Sequence, residues 1–115
     1  MSHKIILDTD PGIDDAMAIF FAFQHPEIDV LGLTTVFGNV PVDMAAKNAI
    51  TLCALADKNI PVCKGVGMPW VGKESGYAHF VHGDDGFGNI NFPAAKGELD
   101  PRSSAQFIVD MARQY

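Results

Sequence analysis

The chain has 115 residues, 48% hydrophobic and 19% charged, a composition that supports the core of one small folded domain and argues against intrinsic disorder. Its 8 basic and 14 acidic residues give a formal net charge of −6, and the basic ones are scattered, so there is no footprint for a nucleic-acid polymer. The longest apolar stretch, Ala16 to Phe23, is far too short to span a membrane, and Met1-Ser2-His3-Lys4 runs into an apolar segment with none of the features of a secretory leader; no membrane partner and a cytoplasmic location are expected.

Lys4 to Leu7 reads as a short buried strand. Asp8-Thr9-Asp10-Pro11-Gly12-Ile13-Asp14-Asp15-Ala16 follows, placing four carboxylates where strand gives way to helix, with Pro11-Gly12 as the turn. From Ile13 the period becomes helical, with Ile13, Ala16, Met17, Ile19, Phe20 and Phe23 as the apolar face and Asp14 and Asp15 in the first turn, where carboxylates complement the positive end of the helix. One such Asp is ordinary helix-terminal decoration; four crowded together repel one another, and a hard, oxygen-seeking divalent cation is the simplest remedy. A strand end leading into a helix start is also where open α/β sheets bind ligands.

The helix stops at Gln24-His25-Pro26, and Ile28 to Val36 reads as a second buried strand interrupted by Gly32. Val42 to Leu55 reads as an amphipathic helix, with Asp43 in its first turn and an apolar face of Met44, Ala45, Ala49, Leu52 and Leu55; Pro61 to Lys64 is a third strand. Cys53 and Cys63 are expected to be small buried hydrophobes rather than a disulfide, and with no clustered histidines they make no zinc site. Strand–helix alternation predicts an α/β fold with a parallel, Rossmann-like open sheet, in which Asp10, Asn39 and the loop after Gly65 meet at the strand ends.

Residues 65–97 hold eight of the eleven glycines, together with His79 and His82, and read as a flap over the strand ends. Trp70, Tyr77 and Phe80 are expected to cover a surface. Asp84 and Asp85 read as solvated loop carboxylates, with a flap-ordering role as the alternative. Ser103 or Ser104 then caps a last helix with Phe107, Ile108 and Met111 on its apolar face. A crossover helix requires a following strand, so the β-α-β-α-β-loop-α order is expected to be truncated before a fourth strand, with part of that last apolar face uncovered.

Two carboxylate patterns fit poorly. An EF-hand loop starting at Asp8 would need Gly at the sixth position and Glu at the twelfth, where the chain has Ile13 and Ile19. The haloacid dehalogenase-like phosphohydrolases share Asp8 and Asp10 but expect Thr or Val at Gly12 and have no use for Asp14-Asp15; they remain a runner-up. The string from Asp8 to Ile19 resembles the N-terminal signature of the inosine-uridine preferring nucleoside hydrolases. The likeness continues in Thr34-Thr35-Val36-Phe37-Gly38-Asn39, in Ile60-Pro61-Val62 leading to Gly65, and in His82-Gly83-Asp84-Asp85-Gly86-Phe87-Gly88. Residues 1–115 then resemble the N-terminal portion of a single domain of that family.

The resemblance implies hydrolysis of the N-glycosidic bond of a ribonucleoside, as in purine or pyrimidine salvage, by an enzyme that is a homo-oligomer at full length. It implies Ca²⁺ as cofactor on Asp10 and Asp15, and Asp14 as the general base that also contacts substrate. Asn39 would hydrogen-bond ribose hydroxyls, His82 would approach the nucleobase, and Asp8 would orient the turn or a ligand without touching metal. In the family a later segment supplies the remaining ligands and the group that protonates the leaving base, so this chain alone is expected to be inactive. The alternative from another class is a non-catalytic remnant that associates through the sheet edge left open after the third strand.

Overall fold

Short, near-continuous runs of β-branched and aliphatic residues build three parallel strands: β1 (His3–Thr9), β2 (Ile28–Thr35) and β3 (Val62–Lys64), in the order β1-β2-β3. Helices α1 (Ile13–Gln24) and α2 (Val42–Leu55) form the crossovers, and α3 (His79–His82) and α4 (Ser104–Gln114) follow β3. The structure, a computed structural model, describes residues 2–72, 76–77, 79–93 and 95–115. Parts of the expected flap at 73–75, 78 and 94, and the side chains of His79 and Phe80, lie outside the described residues.

In the β1–β2 register Ile5 faces Val30 and Ile6 faces Gly32, so Leu31 is an extra residue in β2. That bulge resets the alternation. Leu33 then joins Ile19, Ala22, Phe23, Leu52 and Val62 in the core under α1 and α2. Its neighbour Gly32 points the other way, and a Cβ there would lie 2.5 Å from the Phe107 ring of α4. The sheet is therefore covered on both faces, α1 and α2 on one and α4 on the other.

Ser103 caps α4, accepting the Gln106 N–H at 3.1 Å, and Ser104 is instead buried, donating its hydroxyl to the Cys63 carbonyl at 3.0 Å. Both cysteines are free and buried, and burial pushes each thiol up to about 11, which leaves them inert.

Three of the expected faces are drawn too wide. Met17 is 72% exposed, because α1 turns Ala16, Ile19, Ala22 and Phe23 toward the sheet. Leu55 is also exposed, at the end of α2, where the buried face consists of Ala45, Ala49 and Leu52 with Asn48. Trp70, at 92% exposed, covers no surface. On α4, Phe107 is fully buried but Ile108 is exposed, beside a groove of about 340 Å³ lined by Ile5, Ile6, Leu31, Ile108, Met111 and Tyr115. The more open sheet edge is that of β1, since the Asp100 N–H donates to the Val62 carbonyl (2.9 Å) along β3.

Candidate active site

The C-terminal end of β1 and the first turn of α1 deliver the carboxylates, beside the C-terminal end of β2. Asp8 and Thr34 are cross-strand partners, and the buried Thr34 hydroxyl donates to Asp8 Oδ1 at 2.6 Å. One residue on, the Thr9 hydroxyl donates to Asp15 Oδ2 at 3.0 Å, tying the end of β1 to the first turn of α1. Asp10 turns toward the loop after β2, where its Oδ2 accepts the Asn39 N–H at 2.6 Å. Gly38 makes that approach feasible, since a Cβ at this position would strike Asp10 Oδ2. Asp10 and Asn39 thus meet, and Gly65 comes to the same edge, packed against the Thr35 carbonyl.

Asp10 and Asp15 lie within hydrogen-bonding reach of each other. Burial, the contact with Asp10 and the charges of Asp10 and Asp14 all push the Asp15 carboxyl above its ordinary range, with the Thr9 hydroxyl opposing them. The crowding expected of the four acids is thereby concentrated on one pair, while Asp14 projects into solvent with its side chain 79% exposed. Two adjacent carboxylates, one of them disfavoured as an anion, suit a hard cation; they are only part of a calcium shell of six to eight oxygens. Among the described residues no group of three or more His, Cys, Asp or Glu side chains is arranged to hold a metal.

His82 arrives from α3 and is buried, only 7% exposed, against the start of α1. Its Nδ1 accepts the Ile13 N–H at 3.0 Å, and its Nε2 lies 4.0 Å from Asp14 Oδ1. Gly12 has no side chain to cap α1, and a Cβ there would sit 2.5 Å from His82 Nδ1. The imidazole therefore takes the place of a capping side chain.

Asn48 belongs to no motif of the sequence and shows its role only in the fold. Buried on α2, its Nδ2 donates to the Pro11 carbonyl at 3.1 Å and the Asp85 carbonyl at 3.0 Å, joining the aspartate turn to the loop after α3. A polar amide within the face Ala45–Ala49–Leu52 was the available signal, because a buried amide needs partners. Asp85 is a loop organiser rather than a solvated carboxylate: it accepts the N–H groups of Phe87 (2.9 Å), Asn89 (2.7 Å) and Asn91 (2.8 Å). Partial burial pushes this carboxyl up, but those backbone donors together bring it below its ordinary range.

Comparison with known proteins places the chain among nucleoside hydrolases in sequence and fold. The family model "Inosine-uridine preferring nucleoside hydrolase" matches residues 5–115. A probable uridine nucleosidase 2 of Arabidopsis thaliana is 50% identical over 112 residues, covering 96% of this chain and 35% of the relative. An inosine-uridine preferring nucleoside hydrolase of Leishmania major is 42% identical, covering 96% and 36%. A solved plant nucleoside hydrolase superposes with a TM-score of 0.94 at 39% identity, covering 100% of this chain and 37% of that one. A purine-preferring ribonucleoside hydrolase from Gardnerella vaginalis gives a TM-score of 0.92 at 31% identity, covering 98% and 37%. The chain spans about a third of the length of these relatives. The match leaves no support for the haloacid dehalogenase-like reading. By its signature, its sheet and its match over residues 5–115, the chain belongs to the inosine-uridine preferring nucleoside hydrolase family.

Proposed function

We propose that these residues form the metal- and water-binding wall of an enzyme that hydrolyses the N-glycosidic bond of ribonucleosides, and the observation that carries this reading is the Asp10–Asp15 pair with Asp14 beside it. Asp10 and Asp15 would hold Ca²⁺, which when bound supplies sites for water and the ribose diol and raises that water's acidity. Asp14, exposed at the helix start, takes the proton from the attacking water. The water oxygen bonds to the anomeric carbon as the carbon–nitrogen bond breaks, the electron pair leaving with the base, through an oxocarbenium-like transition state. Asn39, whose N–H already fixes Asp10, would offer its side-chain amide to ribose hydroxyls, and Asp8 would brace the turn through Thr34. His82 would meet the nucleobase as it accepts a proton.

The relatives named for uridine or inosine favour nucleosides as substrates. Purine salvage or pyrimidine salvage, a cytoplasmic setting and homo-oligomeric assembly of the whole protein belong to the same proposal. Among the described residues no helix is long and apolar enough to cross a membrane. Since Asp10 and Asp15 fill only part of a calcium shell, we expect these 115 residues alone to be inactive.

The test is release of ribose from uridine and inosine by the whole protein with calcium, for wild type and Asp14→Asn. The substitution keeps the shape and removes the base, so kcat should fall by about two to four orders of magnitude while calorimetric calcium affinity changes little. A near-normal kcat would assign water activation to another group.

A further inference from the structure

Helix α1 begins without a capping side chain of its own, and the donor left over, the Ile13 N–H, is satisfied from 69 residues away by His82 Nδ1 at 3.0 Å. A neutral imidazole has one acceptor nitrogen and one N–H, so a ring that accepts at Nδ1 carries its proton on Nε2. That nitrogen is 4.0 Å from Asp14 Oδ1. The histidine backbone is fixed as well, its carbonyl accepting the Gly88 N–H at 2.7 Å, and the loop is held from below by Asn48 and within by Asp85. Asp14, by contrast, is a largely exposed side chain, 79% accessible.

We propose that His82 is a positioning residue for Asp14: the helix start selects the tautomer, and the resulting Nε2–H, directly after a small rotation or through one water, biases the carboxylate toward a single rotamer. The proposal rests on the reading of Asp14 as the base and adds to it. Orientation of the base becomes dependent on docking of the loop that carries His82, so the two parts of the site are set together.

The experiment is solution NMR of the 115-residue chain without calcium at about pH 8, where an ordinary imidazole is neutral. Long-range proton–nitrogen correlations should show His82 as the Nε2–H tautomer, and three-bond couplings should show one dominant χ1 rotamer for Asp14. His82→Ala should speed Ile13 amide exchange by roughly five- to tenfold, the range of one net hydrogen bond. His82→Asn places an amide oxygen where Nδ1 stood but cannot reach Asp14. It should keep Ile13 protected and leave the Asp14 couplings averaged, with Leu33 and Phe107 shifts unchanged. An Nδ1–H tautomer, unchanged Ile13 exchange in His82→Ala, or Asp14 couplings unchanged in His82→Asn would overturn the proposal. Loss of Ile13 protection together with Asp14 order in His82→Asn would reduce His82 to a loop anchor and overturn it equally. No turnover is measured, so failure here leaves the role of Asp14 in hydrolysis standing, and failure of the hydrolysis test leaves these readouts intact.

Discussion

Asp15 bears the electrostatic cost of the site. Its carboxyl is raised first by burial and then by Asp10, so the folded chain binds a proton there more tightly than the unfolded chain does. The stability associated with that proton is fully present below the unfolded value near 3.8 and is lost as pH rises through the folded value. Asp10→Asn removes the neighbouring charge, keeps an oxygen for the Asn39 N–H and leaves the burial. In calcium-free protein it should flatten the decline in Tm as pH rises above the unfolded value near 3.8 and raise the neutral-pH value by a few degrees. That corresponds to about 1 kcal/mol or less, because Asp15 is partly solvated and its interactions are screened. Calcium affinity should fall at the same time. Thermal melts across that range decide it, and superimposable profiles would remove Asp10 as a source of the Asp15 shift.

At the scale of elements, strands and long helices were legible because period and punctuation announce them: Pro26 ends α1, and Asp43 opens α2 within a residue of its start. What spacing does not specify is how much of a broad apolar face turns toward the sheet, and Met17, beside the buried stripe of α1, and Leu55, at the end of α2, stay exposed. The aspartates were readable for a different reason, since crowded carboxylates are improbable without a task. His82 and Asn48 depend on contacts across the fold, 69 and 37 residues apart, and no local spacing encodes those contacts; Asp85 instead orders its own loop through the N–H groups of Phe87, Asn89 and Asn91. Asn48 gives the sharpest test. Removing a buried amide that serves two carbonyls from two loops should cost about 1–3 kcal/mol in Asn48→Ala, with faster exchange in both the aspartate turn and residues 85–91. Denaturant titration with hydrogen exchange checks this; a loss confined to α2 would separate the two loops.

For the molecule as a whole, cover is uneven. The side of the sheet under α1 and α2 has a continuous core, while on the other side Phe107 alone among the α4 apolar residues is fully buried. Among the described residues β1 has a strand neighbour on one side only, and beside it the groove between Ile6, Leu31, Ile108 and Met111 lies open. An unpaired strand edge next to an uncovered apolar face favours association. The chain should therefore show concentration-dependent self-association by light scattering, reduced by Ile108→Lys, which places a charge in the groove without touching Phe107. Calcium added to the same samples should bind weakly, in the range of about 10⁻⁴ to 10⁻³ M, because Asp10 and Asp15 offer two carboxylates to an ion that takes six to eight oxygens. The two outcomes are independent. A chain that stays monomeric would show that α4 covers more of the sheet than its exposure implies, and submicromolar calcium binding would mean that these residues by themselves complete the coordination shell.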